Sequence, residues 1–177
     1  MTPFNGDLLR VACLASLLVP GLAAAGQPRL EPLAFLAGQC WSANMPDGQS
    51  IDTHCFEWIN AGHQLRDRHV VRGPGEEYRG ETIYAWQPER GRIEYRYWDS
   101  SGGQSDGHVA AGPDGTLRFL GDRYVASDGS VQALESDLSR VDGDGFRMVT
   151  SRLRNSGPRL SQSRSPALRS RWPRFPT

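Results

Sequence analysis

Glu81-Thr82-Ile83-Tyr84-Ala85-Trp86-Gln87-Pro88-Glu89-Arg90-Gly91-Arg92-Ile93-Glu94-Tyr95-Arg96-Tyr97-Trp98 reads as two strands folded about a turn. The turn is Pro88 to Gly91, and a one-residue slip from a bulge at Gly91 would change the pairs but not the faces. Centring the turn on residues 88–91 sets Tyr84 opposite Tyr95, Trp86 opposite Ile93 and Thr82 opposite Tyr97. The other face then carries Glu81, Ile83, Ala85, Glu94, Arg96 and Trp98. One face is aromatic and the other mostly charged, the pattern of an antiparallel pair with one wet side. The aromatic face is expected to point inward.

Similar punctuation recurs along the chain. Pro46-Asp47-Gly48, Asn60-Ala61-Gly62, Gly73-Pro74-Gly75, residues 100–103, Pro113-Asp114-Gly115, Ser127-Asp128-Gly129 and residues 142–145 are all turn signals. Eight turns with β-branched and aromatic residues between them imply about nine antiparallel strands in a sandwich or barrel. The only helical stretch expected is a single turn over 31–36, ahead of the first strand.

Composition agrees. A chain of 177 residues with 20 Gly, 12 Pro and 38% hydrophobic residues holds one modest core with many turns, which excludes a coiled coil or helical bundle. No apolar run beyond the N-terminus is long enough to span a membrane as a helix. The net charge of zero is unevenly spread: residues 26–144 carry 19 acidic residues against 11 Arg, and from Gly145 onward there are 8 Arg and no acid. Residues 155–177, rich in Arg, Ser and Pro, read as a disordered tail. The alternatives are a frameshift-like terminus or a basic arm for an anionic partner. The acidic body argues against nucleic acid as that partner.

Residues 1–25 read as a secretory signal peptide. Arg10 precedes the apolar stretch, and Ala23-Ala24-Ala25 offers a cleavage site before Gly26. Asp7 weakens the pattern, and a short buried helix is the alternative. Cys13 would leave with the peptide, which gives a periplasmic or secreted protein of residues 26–154 plus the tail. Cys40 and Cys55 then remain in an oxidising compartment. A turn centred between Asp47 and Gly48 sets them opposite one another, so a disulfide is expected; two unpaired thiols, or half of a zinc site, are the alternatives.

Candidate chemistry is sparse. In 62–71 the alternating set His63, Leu65, Asp67, His69 and Val71 is the expected inner face, because Arg66 and Arg68 need water. Asp67 and His69, two apart on one face, are the best general acid–base pair, although a satisfied buried polar pair explains them as well. His54, His63, His69 and His108 show no metal-ligand spacing in sequence, so no metal is expected.

The run Pro32-Leu33-Ala34-Phe35-Leu36-Ala37-Gly38-Gln39-Cys40-Trp41, with Gly80 to Trp86, Tyr95 to Ser100 and Gly102-Gly103, resembles lipocalin-like, calycin-type barrel domains of unknown function in bacterial secreted proteins. That resemblance implies an all-β, antiparallel up-and-down barrel of about nine to ten strands that binds a small, partly apolar ligand. The chain departs from the family where its Arg-rich tail replaces a further strand, which would leave the barrel incompletely closed. Related haem-binding barrels place a His on a late strand; no His follows His108, and no cofactor is expected. The ligand-lining residues are expected to be Tyr84, Trp86, Tyr95, Tyr97, Asp67 and His69. These residues either line a pocket or simply fill the barrel. An enzyme using His69 and Asp67 for proton transfer in the same cavity is the alternative.

Overall fold

A computed structural model describes residues 28–141 and 145–153, together with the backbone of 162–164 and 168–170. The leader reading, and most of the tail reading, lie outside the described residues. Nine antiparallel strands follow one another up and down: β1 (Gln39–Asn44), β2 (Ile51–Ile59), β3 (Gln64–Arg72), β4 (Tyr78–Gln87), β5 (Arg92–Asp99), β6 (Gln104–Ala111), β7 (Leu117–Val125), β8 (Val131–Val141) and β9 (Gly145–Leu153). Each pairs with its predecessor, giving an all-β, nearly closed barrel.

One seam, between β1 and β9, is not paired directly. Two three-residue strands from the Arg-rich segment lie along it: β10 (Gln162–Arg164) against Val149–Ser151 and β11 (Leu168–Ser170) against Gly145–Phe146. β11 also pairs with Trp41 and Ser42 of β1. Both run antiparallel to β9, the second displaced by one residue in register, so together they trace an interrupted strand in the seam.

Both hairpin registers read from sequence are present. Tyr84 faces Tyr95, Trp86 faces Ile93 and Thr82 faces Tyr97; Cys40 faces Cys55, and their sulfurs are bonded at 2.07 Å. At the first turn, Asp47 accepts hydrogen bonds from the backbone N–H groups of Gln49 and Ser50 and from the Ser50 hydroxyl, which pins the register that makes the disulfide.

The two ends of the barrel differ in chemistry. A 3-10 helix, Pro28–Leu36, plugs one end with Leu30, Leu33 and Leu36, all fully buried. Trp41 lies beneath it, its indole N–H donating to the Leu36 carbonyl at 3.2 Å and its ring edge-on to Phe146. Phe56, Leu65, Tyr84, Ile93, Tyr95, Val109, Leu117, Phe119 and Leu138 complete this apolar end. Arg29 over Trp86 and Arg140 over Phe35 flank the plug with cation–π contacts.

The other end is polar, and β7 shows how it was made so. A bulge between Phe119 and Asp122, eased by Gly121 at φ +67°, shifts the register. Phe119, Asp122 and Tyr124 thereby all face inward, although simple alternation would have turned the last two outward.

Candidate functional site

β2 and β3 supply the centre of the site. Their register sets His54 opposite His69, and alternation turns Asp52 and His54 inward with Asp67 and His69. The two imidazoles stack with centroids 4.6 Å apart. Asp67 binds His54 Nδ1 at 2.8 Å, and Asp52 binds both rings: one oxygen meets His54 Nε2 at 3.2 Å, the other His69 Nδ1 at 3.3 Å. His69 Nε2 continues to the Tyr97 hydroxyl at 3.2 Å, and Tyr97 to Tyr78 at 2.5 Å. Beyond them Tyr124 donates to Asp99 at 2.9 Å, and Asp99 also accepts backbone N–H groups of Ser101 and Gly103.

A string of carboxylate, imidazole and phenol groups therefore crosses the polar end. The Asp52, His54 and His69 side chains are 18%, 17% and 14% exposed.

Glycines clear its path. A Cβ on Gly80 would stand 2.2 Å from His69 Nε2 and 2.6 Å from the Tyr97 ring. On Gly103 it would meet the Tyr124 hydroxyl and Asp99, and on Gly107 the Tyr95 hydroxyl. Glycine weakens a strand interior, so its place here is a place of close approach.

Charges follow from the geometry. Burial opposes a proton on His54, but Asp67 and Asp52 outweigh it and raise its pKa to about 10. Both ring nitrogens face carboxylates, which only accept, so both donate. Burial works against the Asp52 charge, yet its hydrogen bonds to His54 and His69 hold it well below the usual carboxylate range. Burial, aided by the charge of Asp99 and opposed by the Tyr97 hydrogen bond, lifts Tyr78 to about 12. Burial raises Tyr97 too, reinforced by its bond to Tyr78. One oxygen of Asp67 is buried and unpartnered.

No family model and no curated protein matches the chain.

Asp67 and His69 share the inner face of β3, as expected from the alternation. Their direct partners, however, are crosswise: Asp67 braces His54, while His69 is held by Asp52 and Tyr97. Of the four aromatic residues expected to line a pocket, Tyr84 and Tyr95 are buried at the plugged end, packed on each other and on Phe119. Trp86 is half-buried there beneath Arg29. Tyr97 alone joins the polar string. A separate cleft of about 520 Å³ lies on the outer side of β2–β5, lined by Arg68, Val70, Arg79, Glu81 and Trp98 and reaching His69 and Asp99 at its edge.

Asp52, His54, Tyr78, Asp99 and Tyr124 were not singled out from sequence. A signal for the first two was present. With Cys40 opposite Cys55, His54 stands opposite Trp41, and a tryptophan inside the barrel puts His54 and Asp52 inside with it.

Proposed function

We propose that the protein is an extracytoplasmic binding barrel that receives a small, partly apolar ligand at its polar end. One observation carries this reading. A hydrogen-bonded string of His54, His69, Tyr97 and Tyr78 between carboxylates lies half-buried, opposite an end that is sealed with leucine and aromatic rings. Ring faces beside a few convergent polar tips are the usual make-up of a small-ligand site. The lipocalin-like resemblance and the barrel architecture support it. Export is supported by the Cys40–Cys55 disulfide, since such bonds persist in oxidising compartments, and by the signal-like residues 1–25. Among the described residues no helix is long and apolar enough to cross a membrane.

The test uses the exported protein. Its intact mass should begin at Gly26. An anilinonaphthalene sulfonate probe should gain fluorescence on binding, lose that gain in Tyr97→Leu and His69→Leu, and keep it in His108→Ala on the outer face. Equal binding by all four proteins would overturn the reading.

Proton transfer at His69 is a second reading, favoured by its place between Asp52 and Tyr97. A carboxylate on one nitrogen and a phenol on the other orient an imidazole as a general base does. Asp67, expected as its direct partner, would act only through His54. Turnover of simple esters or enolisable ketones that vanishes in His69→Ala would support it; no turnover in the unaltered protein would remove it.

A further inference from the structure

We infer that Asp52, His54 and His69 form a binding site for a divalent first-row transition metal ion. The inference stands apart from the organic ligand proposed above, because its readout is the metal itself.

The argument begins with the donor set. Two imidazoles and one carboxylate from adjacent strands offer ligand atoms that all lie within 4.8 Å of one another. Two His and one carboxylate leave coordination positions open, and this combination suits zinc and its first-row neighbours. Asp52 directs one oxygen at each ring, 3.2 Å from His54 Nε2 and 3.3 Å from His69 Nδ1. Ligands held about 2.0–2.1 Å from an ion stand roughly 3.3 Å apart; each imidazole stands at about that separation from a different Asp52 oxygen, which fits a carboxylate that ligates through both oxygens. The two nitrogens lie within 4.8 Å of one another, so closing them on one ion needs a movement of at most about 1.5 Å, shared between the two rings.

The surroundings point the same way. Metal-bound histidines hand their second nitrogen to a carboxylate, carbonyl or other acceptor, which fixes the ring and its tautomer. Both histidines have that partner. His54 Nδ1 meets Asp67 at 2.8 Å, leaving Nε2 for the ion, and His69 Nε2 meets the Tyr97 hydroxyl at 3.2 Å, leaving Nδ1. The nitrogens left over are the two that Asp52 faces. Gly80 keeps the space that the His69–Tyr97 contact occupies.

The charge balance is compatible with an ion. Asp52 and Asp67 sit within one cluster, 18% and 6% exposed, and among the described residues no arginine is paired with either. The neighbouring arginines Arg66 and Arg68 face outward to Glu57. In the metal-free protein His54, donating from both ring nitrogens, carries the charge that balances the two carboxylates; a bound dication would take over that role as it displaced the proton on the ligating nitrogen.

The experiment is metal titration of the full exported chain after chelation and dialysis. Cobalt(II) is the probe because its visible absorption reports coordination. The expected result is one equivalent bound, with intense visible bands of low coordination number, displaced by zinc. His54→Ala, His69→Ala and Asp52→Ala should each abolish the bands, and His108→Ala should leave them unchanged. Asp67→Asn keeps the three ligands and alters only the group that braces His54, so affinity should fall roughly 10- to 100-fold with one equivalent still bound. Circular dichroism separates loss of the site from loss of the fold. If an alanine variant is unfolded, protection of wild-type His54 and His69 from diethyl pyrocarbonate by cobalt or zinc gives the same answer. Less than a tenth of an equivalent bound at 100 µM, or bands that persist in a folded His69→Ala protein, would overturn the assignment.

Discussion

Replacing Gly80 by alanine should cost the protein about 1–3 kcal/mol, although alanine is the better residue for a strand. The added methyl would stand 2.2 Å from His69 Nε2, 2.5 Å from its Cδ2 and 2.6 Å from Tyr97 Cε2. His69 has little room to yield. It is stacked on His54, edge-on to Tyr78, and held by Asp52 and Tyr97 at its two nitrogens. Overpacking of this kind costs about 1–3 kcal/mol, and breaking the His69–Tyr97 bond adds about 0.5–1.5. The relief of glycine's backbone entropy returns about 0.5–1. Gly75→Ala is the control, since its Cβ would meet nothing within 4 Å and its φ is ordinary; it should be neutral or stabilising by up to about 1 kcal/mol. Urea unfolding of the disulfide-bonded chain, followed by tryptophan fluorescence, measures both. In a His69→Ala background the Gly80 penalty should fall, with a remainder from the Tyr97 ring 2.6 Å away, which makes the coupling visible as non-additivity. A Gly80→Ala protein within about 0.5 kcal/mol of Gly75→Ala, or a penalty unchanged without His69, would refute the reasoning.

Cys40→Ala with Cys55→Ala opens a 15-residue loop and should destabilise by about 2–4 kcal/mol; labelling of the denatured, unreduced exported protein should find no free thiol. Tyr95→Ala removes a buried ring packed on Tyr84 and Phe119 and should cost about 3–5 kcal/mol while leaving cobalt affinity unchanged; a neutral effect would show that the plugged end is loosely filled. Burial, the largest influence, raises the Asp122 pKa above its ordinary 3.8, with Asp106 adding to it and Tyr95 and Ser105 opposing. Its stabilising contribution is therefore complete below pH 3.8 and is lost as pH rises through the folded value. Asp122→Asn should raise the unfolding midpoint at pH 7, with the gain disappearing as pH approaches 3.8; a gain independent of pH would contradict this.

Local turn chemistry made much of the barrel legible. Pro46-Asp47-Gly48 and residues 88–91 each set a register, and from those registers came the disulfide and the Tyr84–Tyr95 pair. The same arithmetic about Asn60-Ala61-Gly62 sets His54 opposite His69, so the heart of the polar site was also within reach. Other features depend on the closed shape. Tyr124 meets Asp99 across β6, between strands that are not neighbours, and the β7 bulge that turns it inward has only Gly121 as a local mark. Gly80, Gly103 and Gly107 look like punctuation in a glycine-rich chain, yet each lies where a side chain would strike a polar group. The Arg-rich segment shows a different limit. Its composition speaks to burial, whereas β10 and β11 are defined by backbone pairing along a seam, which any side chain allows except proline's missing donor.

The contrast between the two ends bears on why the polar string exists at all. The plugged end shows that this chain fills a barrel with Leu30, Leu33, Leu36, Trp41 and Phe146, which stabilise by leaving water. At the other end the same strands place Asp52, His54, Asp67 and His69. Desolvating such groups offsets most of what their pairing returns, and well-packed apolar side chains would stabilise the fold as much or more. The glycines beside them cost further strand stability. A sequence that follows the packing rules at one end and breaks them in a connected group at the other has the pattern expected of a functional site, which is what the proposed ligand and metal readings draw on. The groups placed there are also those that hold protons and metal ions.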